Sequence, residues 1–226
     1  MDMGSIHVRI LFQDEHIIVC VKPAGILSQP SEKNKHSMIS VLADQTGKTV
    51  YPVHRLDLNT EGLMVFALNK QAAASLGKQM AESDIHKQYL AVVQGPLAHK
   101  AAVLEDYLYF DRRQNKSYVV RNGRKGSKYA KLAYYFLEEK NGKVLVQISL
   151  FTGRTHQIRV QFASRKNPLA GDRRYGGCPG QFSLVAASLN FRHPYTDEKM
   201  NYRYIPSGLD CFENIEMTEL AAEKNI

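Results

Sequence analysis

Two runs of alternating apolar residues, separated by Asn141-Gly142, predict an antiparallel hairpin beyond the middle of the chain. Apolar residues occupy every second position from 130 to 136 and again from 144 to 150. Asn-Gly favours the tight turn whose two central residues have positive φ, and this turn matches the twist of paired strands. A chain with this hairpin builds antiparallel sheet, so the sequence favours sheet-based folds.

Other segments mix strands and helices without the regular alternation that a parallel sheet requires. Residues 17–21 and 63–68 are apolar throughout, which is typical of strands covered on both faces. Ser37 and Gly47 bracket one predicted helix, and a short helix is predicted to begin near Thr155. This pattern predicts an α+β fold on a long, mixed or mostly antiparallel sheet.

The positive charge of the chain is concentrated in one region. The formal net charge is +8, and residues 112–131 contain eight Lys or Arg and no acid. Tyr118 and Tyr129 lie among these cations, and such clusters contact phosphates while tyrosines stack on unpaired bases. A solvated surface is the alternative for one run, but a second cluster over residues 154–174 favours RNA or DNA as partner. Four of these cations are the candidate RNA-binding residues, and we refer to them together as the basic hairpin: Arg121, Arg124, Lys125 and Lys128.

The composition argues against several other classes of protein. No apolar run approaches the roughly 20 residues that span a bilayer, and the N-terminus does not resemble a signal peptide. Cys20, Cys178 and Cys211 are scattered and match neither a disulfide framework nor a metal-ligand spacing. We therefore expect no membrane association, a reducing cytoplasmic location and no metal site.

Three segments combine residue types that packing alone does not require. Asp57 follows His54, Arg55 and Leu56 directly ahead of an apolar strand, where a scaffold holds a carboxylate firmly. Tyr89 lies near the start of another predicted strand. Taken alone, each of these residues is better explained by a structural role, as a turn aspartate or a strand tyrosine.

The third segment places Arg154, His156 and Arg159 at a predicted strand-to-helix junction. Backbone N–H groups at such a junction attract anions, and a partly buried arginine requires a carboxylate or a phosphate. A structural salt bridge is the simpler interpretation of Arg159. An unrelated hydrolase that uses His54 and Asp57, with or without a metal, also remains open at this point.

Four segments in combination carry a resemblance to a known family: VHRLDLNTEGLMVFALNK, KQYLAVVQG, TGRTHQIRVQF and NPLAGDRRYGG. They resemble, in the same order, the RluA family of RNA pseudouridine synthases, and the resemblance extends from Ile10 to Ile205. It implies the pseudouridine synthase fold, with a central active-site cleft, and the isomerisation of uridine to pseudouridine in ribosomal or transfer RNA. It also implies base flipping and no cofactor or metal. A catalytically silent RNA-binding protein of the same fold is the alternative.

The resemblance also implies roles for individual residues. Asp57 is the expected catalytic nucleophile, Arg159 its partner, and Tyr89 the residue that stacks on the target base and assists proton removal. Arg55 is expected to fill the space left by the flipped uridine. Three further residues are expected to bind RNA: His54, Arg154 and His156. Leu56 and Ile158 are expected to form walls of the pocket.

The resemblance suggests a simple organisation. We predict a monomer with an N-terminal extension over residues 1–9, a catalytic domain over 10–206 and an acidic tail over 207–226. From residue 212 the tail is expected to be a surface helix or frayed. Because the resemblance begins near Ile10, RNA capture is expected to depend on the catalytic domain. Gln161 and Glu61 depart from the residues that many relatives have, His and Ser respectively, and both flank the family motifs.

Overall fold

The computed structural model describes residues 6–32, 34–121 and 124–217, which belong to two compact units. Unit 1 comprises Met1–His86 and Ala186–Tyr204, and unit 2 comprises Lys87–Val185 and Ile205–Ile226. The strands are β1 (Arg9–Gln13), β2 (Ile17–Lys22), β3 (Tyr51–Pro52), β4 (Glu61–Ala67), β5 (His86–Gln94), β6 (Ala101–Asp111), β7 (Lys116–Val120), β8 (Lys128–Lys140), β9 (Lys143–Leu150), β10 (Leu184–Arg192), β11 (Lys199–Arg203), β12 (Gly208–Leu209) and β13 (Phe212–Glu213). The helices are α1 (Met38–Thr46), α2 (Lys70–Ala81) and α3 (Gln157–Ala163).

Unit 1 is built on strands in the order β1-β2-β4-β10, with β3 also paired to β4 and β11 to β10. Every residue of β2 is buried, as is β4 from residue 62 onward, which confirms the strands predicted from their apolar runs. Helix α2 packs Ala72 and Leu76 into the core of this unit. Two buried neighbouring strands give a rigid base to the segment that precedes β4.

Helix α1 begins and ends where the sequence predicts. Ser37 is its N-cap, and the Ser40 hydroxyl accepts the Ser37 N–H at 3.0 Å. Gly47 ends the helix with φ of 67°, the left-handed conformation that glycine adopts without strain. Local capping chemistry was therefore sufficient to place this helix.

Unit 2 contains five antiparallel strands in the order β5-β9-β8-β6-β7. Asn141 and Gly142 join β8 to β9 and have φ values of 53° and 70°, which confirms the predicted tight turn. The α+β class on a long, mostly antiparallel sheet is confirmed. In the described part of the chain, no helix is long and apolar enough to cross a membrane.

Two local predictions need correction. Helix α3 begins at Gln157 rather than near Thr155, because His156 adopts a left-handed conformation with φ of 55°. Residues 212–213, expected to be in a surface helix or frayed, form strand β13 instead, because Phe212 and its partner Leu209 are buried. Residues 1–5 of the predicted extension and residues 218–226 of the predicted tail lie outside the described residues.

Candidate active site

Asp57 lies in unit 1, in the segment between β3 and β4, and the turn after β2 fixes the backbone around it. The Ser28 hydroxyl donates to the Leu56 carbonyl and accepts the Leu56 N–H, both at 2.9 Å. The Gly25 N–H donates to the Leu58 carbonyl at 2.9 Å. Hydrogen bonds on both sides of Asp57 therefore hold its half-buried side chain on a fixed backbone.

Lys22 reinforces the same segment from the end of β2, where its side chain is fully buried. Its Nζ donates to the carbonyls of Pro23 at 2.9 Å, Leu58 at 3.0 Å and Thr60 at 2.9 Å. Two of these three carbonyls belong to Leu58 and Thr60, which lie one and three positions after Asp57. One ammonium group therefore ties the end of β2 to the segment that carries the predicted nucleophile.

The environment of Lys22 also changes its protonation chemistry. Burial lowers the pKa of Lys22 from 10.5 to about 8, while the carboxylates of Asp57 and Glu61 oppose this change. Lys22 was not identified from the sequence. Its one signal in the sequence is its position, directly after the apolar residues 17–21 and before Pro-Ala-Gly.

The three residues before Asp57 differ in their surroundings. The Nε2 of His54 accepts the Val65 N–H of β4 at 3.1 Å, so this nitrogen carries no proton and anchors the segment to the sheet. Arg55 is exposed, whereas Leu56 is buried. The predicted contacts of His54, Arg55 and Leu56 with RNA or with a flipped base remain predictions.

Glu61, the first residue of β4, forms a second polar contact close to this segment. Its carboxylate accepts a hydrogen bond from the Tyr204 hydroxyl. Burial, followed by the Glu61 carboxylate, raises the pKa of Tyr204 to about 12, so this phenol stays protonated at neutral pH. Glu61, which departs from the residue that many relatives have, therefore has a defined hydrogen-bond partner in Tyr204.

Tyr89 lies in unit 2, where it is buried on β5 opposite Ile148 of β9. Lys87 is two residues earlier on β5, and side chains two positions apart in a strand point to the same face. Burial lowers the pKa of Lys87 below its usual range. The strand predicted to carry Tyr89 therefore also brings a partly buried ammonium to the same side of the sheet.

Arg159 lies in α3, is 9% exposed, and has the carboxylate partner that its burial requires. Its Nε donates to Asp172 Oδ2 at 2.7 Å and its Nη2 to Asp172 Oδ1 at 2.8 Å. This bidentate geometry fixes the plane of the guanidinium group. One signal for Asp172 is present in the sequence, because it is the only acid among the cations of residues 154–174.

The loop that carries Asp172 depends on two glycines. Gly171 has φ of 74°, and a Cβ there would lie 2.3 Å from the Gln181 carbonyl oxygen. A Cβ on Gly177 would lie 2.0 Å from the Leu169 carbonyl oxygen. The backbone therefore folds tightly around Asp172 only because these two positions lack side chains.

Tyr175 connects this loop to the rest of unit 2 and was not identified from the sequence. Its hydroxyl accepts the Ser117 N–H at 2.8 Å and lies 3.0 Å from His156 Nδ1. The Arg159 guanidinium lies 5.0 Å from the centre of its ring. Burial raises the pKa of Tyr175 to about 12, so it remains a neutral phenol beside the charged pair.

The remaining predicted site residues of unit 2 occupy different environments. Arg154 is partly exposed, and its Nε donates to the Tyr129 carbonyl at 2.8 Å. Ile158 is buried in α3. The cations of the basic hairpin are all exposed, and they lie in the connection from β7 to β8 and at the first residue of β8: Arg121, Arg124, Lys125 and Lys128.

The sequence-predicted residues therefore fall into two groups. His54 to Asp57 belong to unit 1, and Tyr89, Arg159 and the other expected RNA-binding residues belong to unit 2. The predicted pairing of Asp57 with Arg159 joins the two units and remains a prediction. Among the residues that the structure describes, no group of three or more His, Cys, Asp or Glu could hold a metal ion.

Comparison with protein families gives a match over most of the chain. A family model described as RNA pseudouridylate synthase matches residues 16–164. The matched region contains Asp57, Tyr89 and Arg159, the residues singled out by their sequence context. The match therefore covers well over half of the chain, from β2 through α3.

Individual relatives agree with this match. The uncharacterized RNA pseudouridine synthase YhcT of Bacillus subtilis is 34% identical over 201 residues, which are 84% of this chain and 65% of the relative. The ribosomal large subunit pseudouridine synthase D of Nitrosomonas europaea is 36% identical over 76% of this chain, but only 51% of the relative. The chain thus spans between half and two thirds of these two relatives.

A third relative matches over nearly its full length, and solved structures share the fold. The tRNA pseudouridine synthase C of Vibrio cholerae is 30% identical, over 90% of this chain and 91% of the relative. The structure of human RNA pseudouridylate synthase domain containing 1 has a TM-score of 0.76 and 23% identity, and the match covers 92% of this chain and 88% of that chain. On the family match and these relatives, the chain belongs to the RNA pseudouridylate synthase family.

Proposed function

We propose that this protein isomerises uridine to pseudouridine in RNA, with Asp57 as the catalytic nucleophile. The observation that carries the proposal is the synthase family match, because the matched residues include Asp57 together with Tyr89 and Arg159. The firmly held backbone on both sides of Asp57 supports it, since a nucleophile must be positioned before it reacts.

The reaction explains why a fixed carboxylate is needed. The bond from ribose C1′ to N1 of uracil breaks, the base turns, and a new bond joins C1′ to C5, while the C5 proton is lost and N1 regains a proton. A carboxylate that attacks covalently divides this change into easier steps. Attack on the ribose and attack on the base both require an ionised carboxylate at position 57.

The other residues follow in supporting roles. In this proposal Tyr89 stacks on the target uracil and assists proton removal, and Arg159, oriented by Asp172, pairs with Asp57. A uridine within a helix must be flipped out at a cost of a few kcal/mol, and an inserted Arg55 offsets part of this cost. Leu56 and Ile158 line the pocket, which needs neither cofactor nor metal.

The names of the relatives suggest the substrate. One is described as acting on transfer RNA, another on the ribosomal large subunit, and a third as a dual-specificity RNA pseudouridine synthase. We therefore propose that the substrate is ribosomal or transfer RNA. We also propose that the enzyme is a monomer and acts in the cytoplasm, where both classes of RNA occur. Mapping pseudouridines in total RNA from cells with and without the gene identifies the RNA and the position.

The test of the nucleophile is the isosteric variant Asp57→Asn. We expect pseudouridine formation to fall by at least about a thousandfold, because the amide cannot act as a nucleophile. Mass spectrometry of transfer RNA and ribosomal RNA transcripts measures turnover, and equilibrium binding measures affinity, which should stay within severalfold of the wild type.

The matched control is Asp44→Asn, which removes the same charge from an exposed position of α1 in the same unit. This control should retain wild-type turnover. Substantial turnover by Asp57→Asn contradicts the assigned nucleophile. A wild-type protein that binds these RNAs but forms no pseudouridine in any of them is instead the catalytically silent RNA-binding protein.

A further inference from the structure

Unit 2 contains a basic groove of about 760 Å³ that none of the predicted catalytic residues lines. Its walls are formed by residues 108–113 at the end of β6 and the following turn, by Gly126 and Lys128, and by residues 153–155 ahead of α3. This volume lies within the range of roughly 300–1,000 Å³ that is typical of ligand sites. The groove is therefore large enough to hold part of a ligand rather than a few water molecules.

Four cations line this groove: Arg112, Arg113, Lys128 and Arg154. The first three are exposed, and their charged groups have no side-chain partner in the described parts of the chain. Arg154 is partly exposed and donates through Nε to the Tyr129 carbonyl at 2.8 Å. The groove therefore presents several cationic donors that the fold itself does not use.

The single acid in the lining does not neutralise these cations. Asp111 accepts hydrogen bonds through Oδ1 from the backbone N–H groups of Arg113 at 2.8 Å and Gln114 at 3.1 Å. Its carboxylate is therefore committed to the turn between β6 and β7. An anion in the groove would meet four cations and one carboxylate that is already hydrogen-bonded.

The aromatic residues of the groove favour a backbone ligand over a base. The Arg124 guanidinium lies 3.9 Å from the centre of the Tyr109 ring and covers one of its faces. Phe110 is packed edge-to-face against His156, with ring centres 6.3 Å apart. Rings that are already engaged offer little surface on which an unpaired base could stack.

From these observations we propose that the groove binds the sugar–phosphate backbone of RNA, at a site separate from the pocket of the reacting uridine. The proposal rests on the proposed function, since it takes the substrate RNA as the ligand. Guanidinium and ammonium groups contact RNA phosphates, and these contacts position RNA without reading its sequence. The groove therefore holds substrate by charge, while the choice of uridine is made elsewhere.

The test removes three groove cations together, as Arg112→Gln, Arg113→Gln and Lys128→Gln. The probe is a single-stranded RNA oligonucleotide of mixed sequence, and its dissociation constant is measured by fluorescence anisotropy at several salt concentrations. Loss of about three phosphate contacts should weaken binding at least about tenfold near 0.1 M salt and reduce the log–log salt slope by about 2. A scrambled oligonucleotide of equal length should lose affinity to the same extent.

The matched control is the triple variant Lys35→Gln, Lys70→Gln and Lys140→Gln, which removes the same charge from exposed side chains outside the groove. This control should bind RNA within about twofold of the wild type. An unchanged salt slope in the groove variant overturns the proposal, and so does an equal loss in the control, which would indicate net charge alone. A loss confined to one RNA sequence would indicate base recognition and also overturns it.

Turnover by the wild type separates this proposal from the proposed function. If the wild type forms no pseudouridine but its RNA binding depends on the groove, only the proposed function fails. If it forms pseudouridine and the groove variant binds RNA as tightly as the wild type, only the groove proposal fails.

Discussion

Replacing the buried Lys22 by Met tests how the segment around Asp57 is held. Methionine keeps most of the length and apolar volume of the side chain but removes the ammonium group. The carbonyls of Pro23, Leu58 and Thr60 then lose a donor that lies 2.9–3.0 Å away. Because the side chain is fully buried, water does not replace this donor without a structural change.

The structure gives two opposing contributions to the free energy of unfolding. Leaving a buried polar group without its partner costs roughly 1–3 kcal/mol, so three carbonyls cost roughly 3–9 kcal/mol. Against this, the fall in the pKa of Lys22 from 10.5 to about 8 shows that burying its charge costs roughly 3 kcal/mol, which Met avoids. We expect Lys22→Met to lower the free energy of unfolding at pH 7 by about 3 kcal/mol.

The pH dependence gives a sharper test than the magnitude. Below pH 8 Lys22 is protonated in both the folded and the unfolded chain. Between about pH 8 and 10.5 the folded protein has released this proton while the unfolded chain still binds it, so stability rises with pH through this window. The deficit of Lys22→Met relative to the wild type should therefore increase by about 2 kcal/mol from pH 7 to pH 9.5.

Urea unfolding followed by far-UV circular dichroism measures both quantities, since the chain has no tryptophan and its tyrosines begin to ionise at high pH. Lys70→Met, at an exposed position of α2, is the matched control and should change stability by less than about 0.5 kcal/mol. A Lys22→Met protein as stable as the wild type would refute the hydrogen-bonding argument. An equal deficit at pH 7 and pH 9.5 would refute the lowered pKa.

Two further predictions concern unit 2. Asp172→Asn should lower the free energy of unfolding by about 3 kcal/mol and reduce kcat, because Arg159 loses its buried counter-charge. The control is Asp197→Asn, whose partner Arg192 is exposed. In the same thermal unfolding and kinetic assays it should lower the free energy of unfolding by less than about 1 kcal/mol. Equal costs would contradict the distinction between buried and exposed pairs. The second variant neutralises the basic hairpin by combining Arg121→Gln, Arg124→Gln, Lys125→Gln and Lys128→Gln. It should weaken RNA binding and flatten the salt dependence of the affinity. An unchanged salt dependence would mean that the basic hairpin is only a solvated surface.

Features of the fold that depend on neighbouring residues could be predicted from the sequence. The Asn141-Gly142 turn and the helix between Ser37 and Gly47 are determined by backbone preferences and hydrogen bonds within a few positions. The start of α3 lies two residues after the position that the sequence predicts, because His156 adopts a left-handed conformation. That conformation accompanies a contact with Tyr175, 19 residues away, which no local pattern reveals.

The candidate site shows the same division. Asp57, Tyr89 and Arg159 could be selected because their segments carry family motifs, whereas Lys22 and Asp172 could not be assigned roles. Lys22 binds carbonyls 36 and 38 residues along the chain, and its importance comes from complete burial. Sequence reasoning gives the charge of a side chain, but the fold decides whether that charge is solvated or enclosed.

This distinction also determines which cations are available to RNA. Lys22 is buried and binds backbone carbonyls, and Arg159 is buried and binds Asp172. Arg165 pairs with Asp106 at 2.9 Å. The salt dependence of RNA binding depends on the number of phosphate contacts and not on net charge. A slope calculated from the net charge of +8 would therefore count groups that never meet a phosphate. The comparison of the groove variant with a control of equal charge decides the matter, because only the position of the lost cations differs between them.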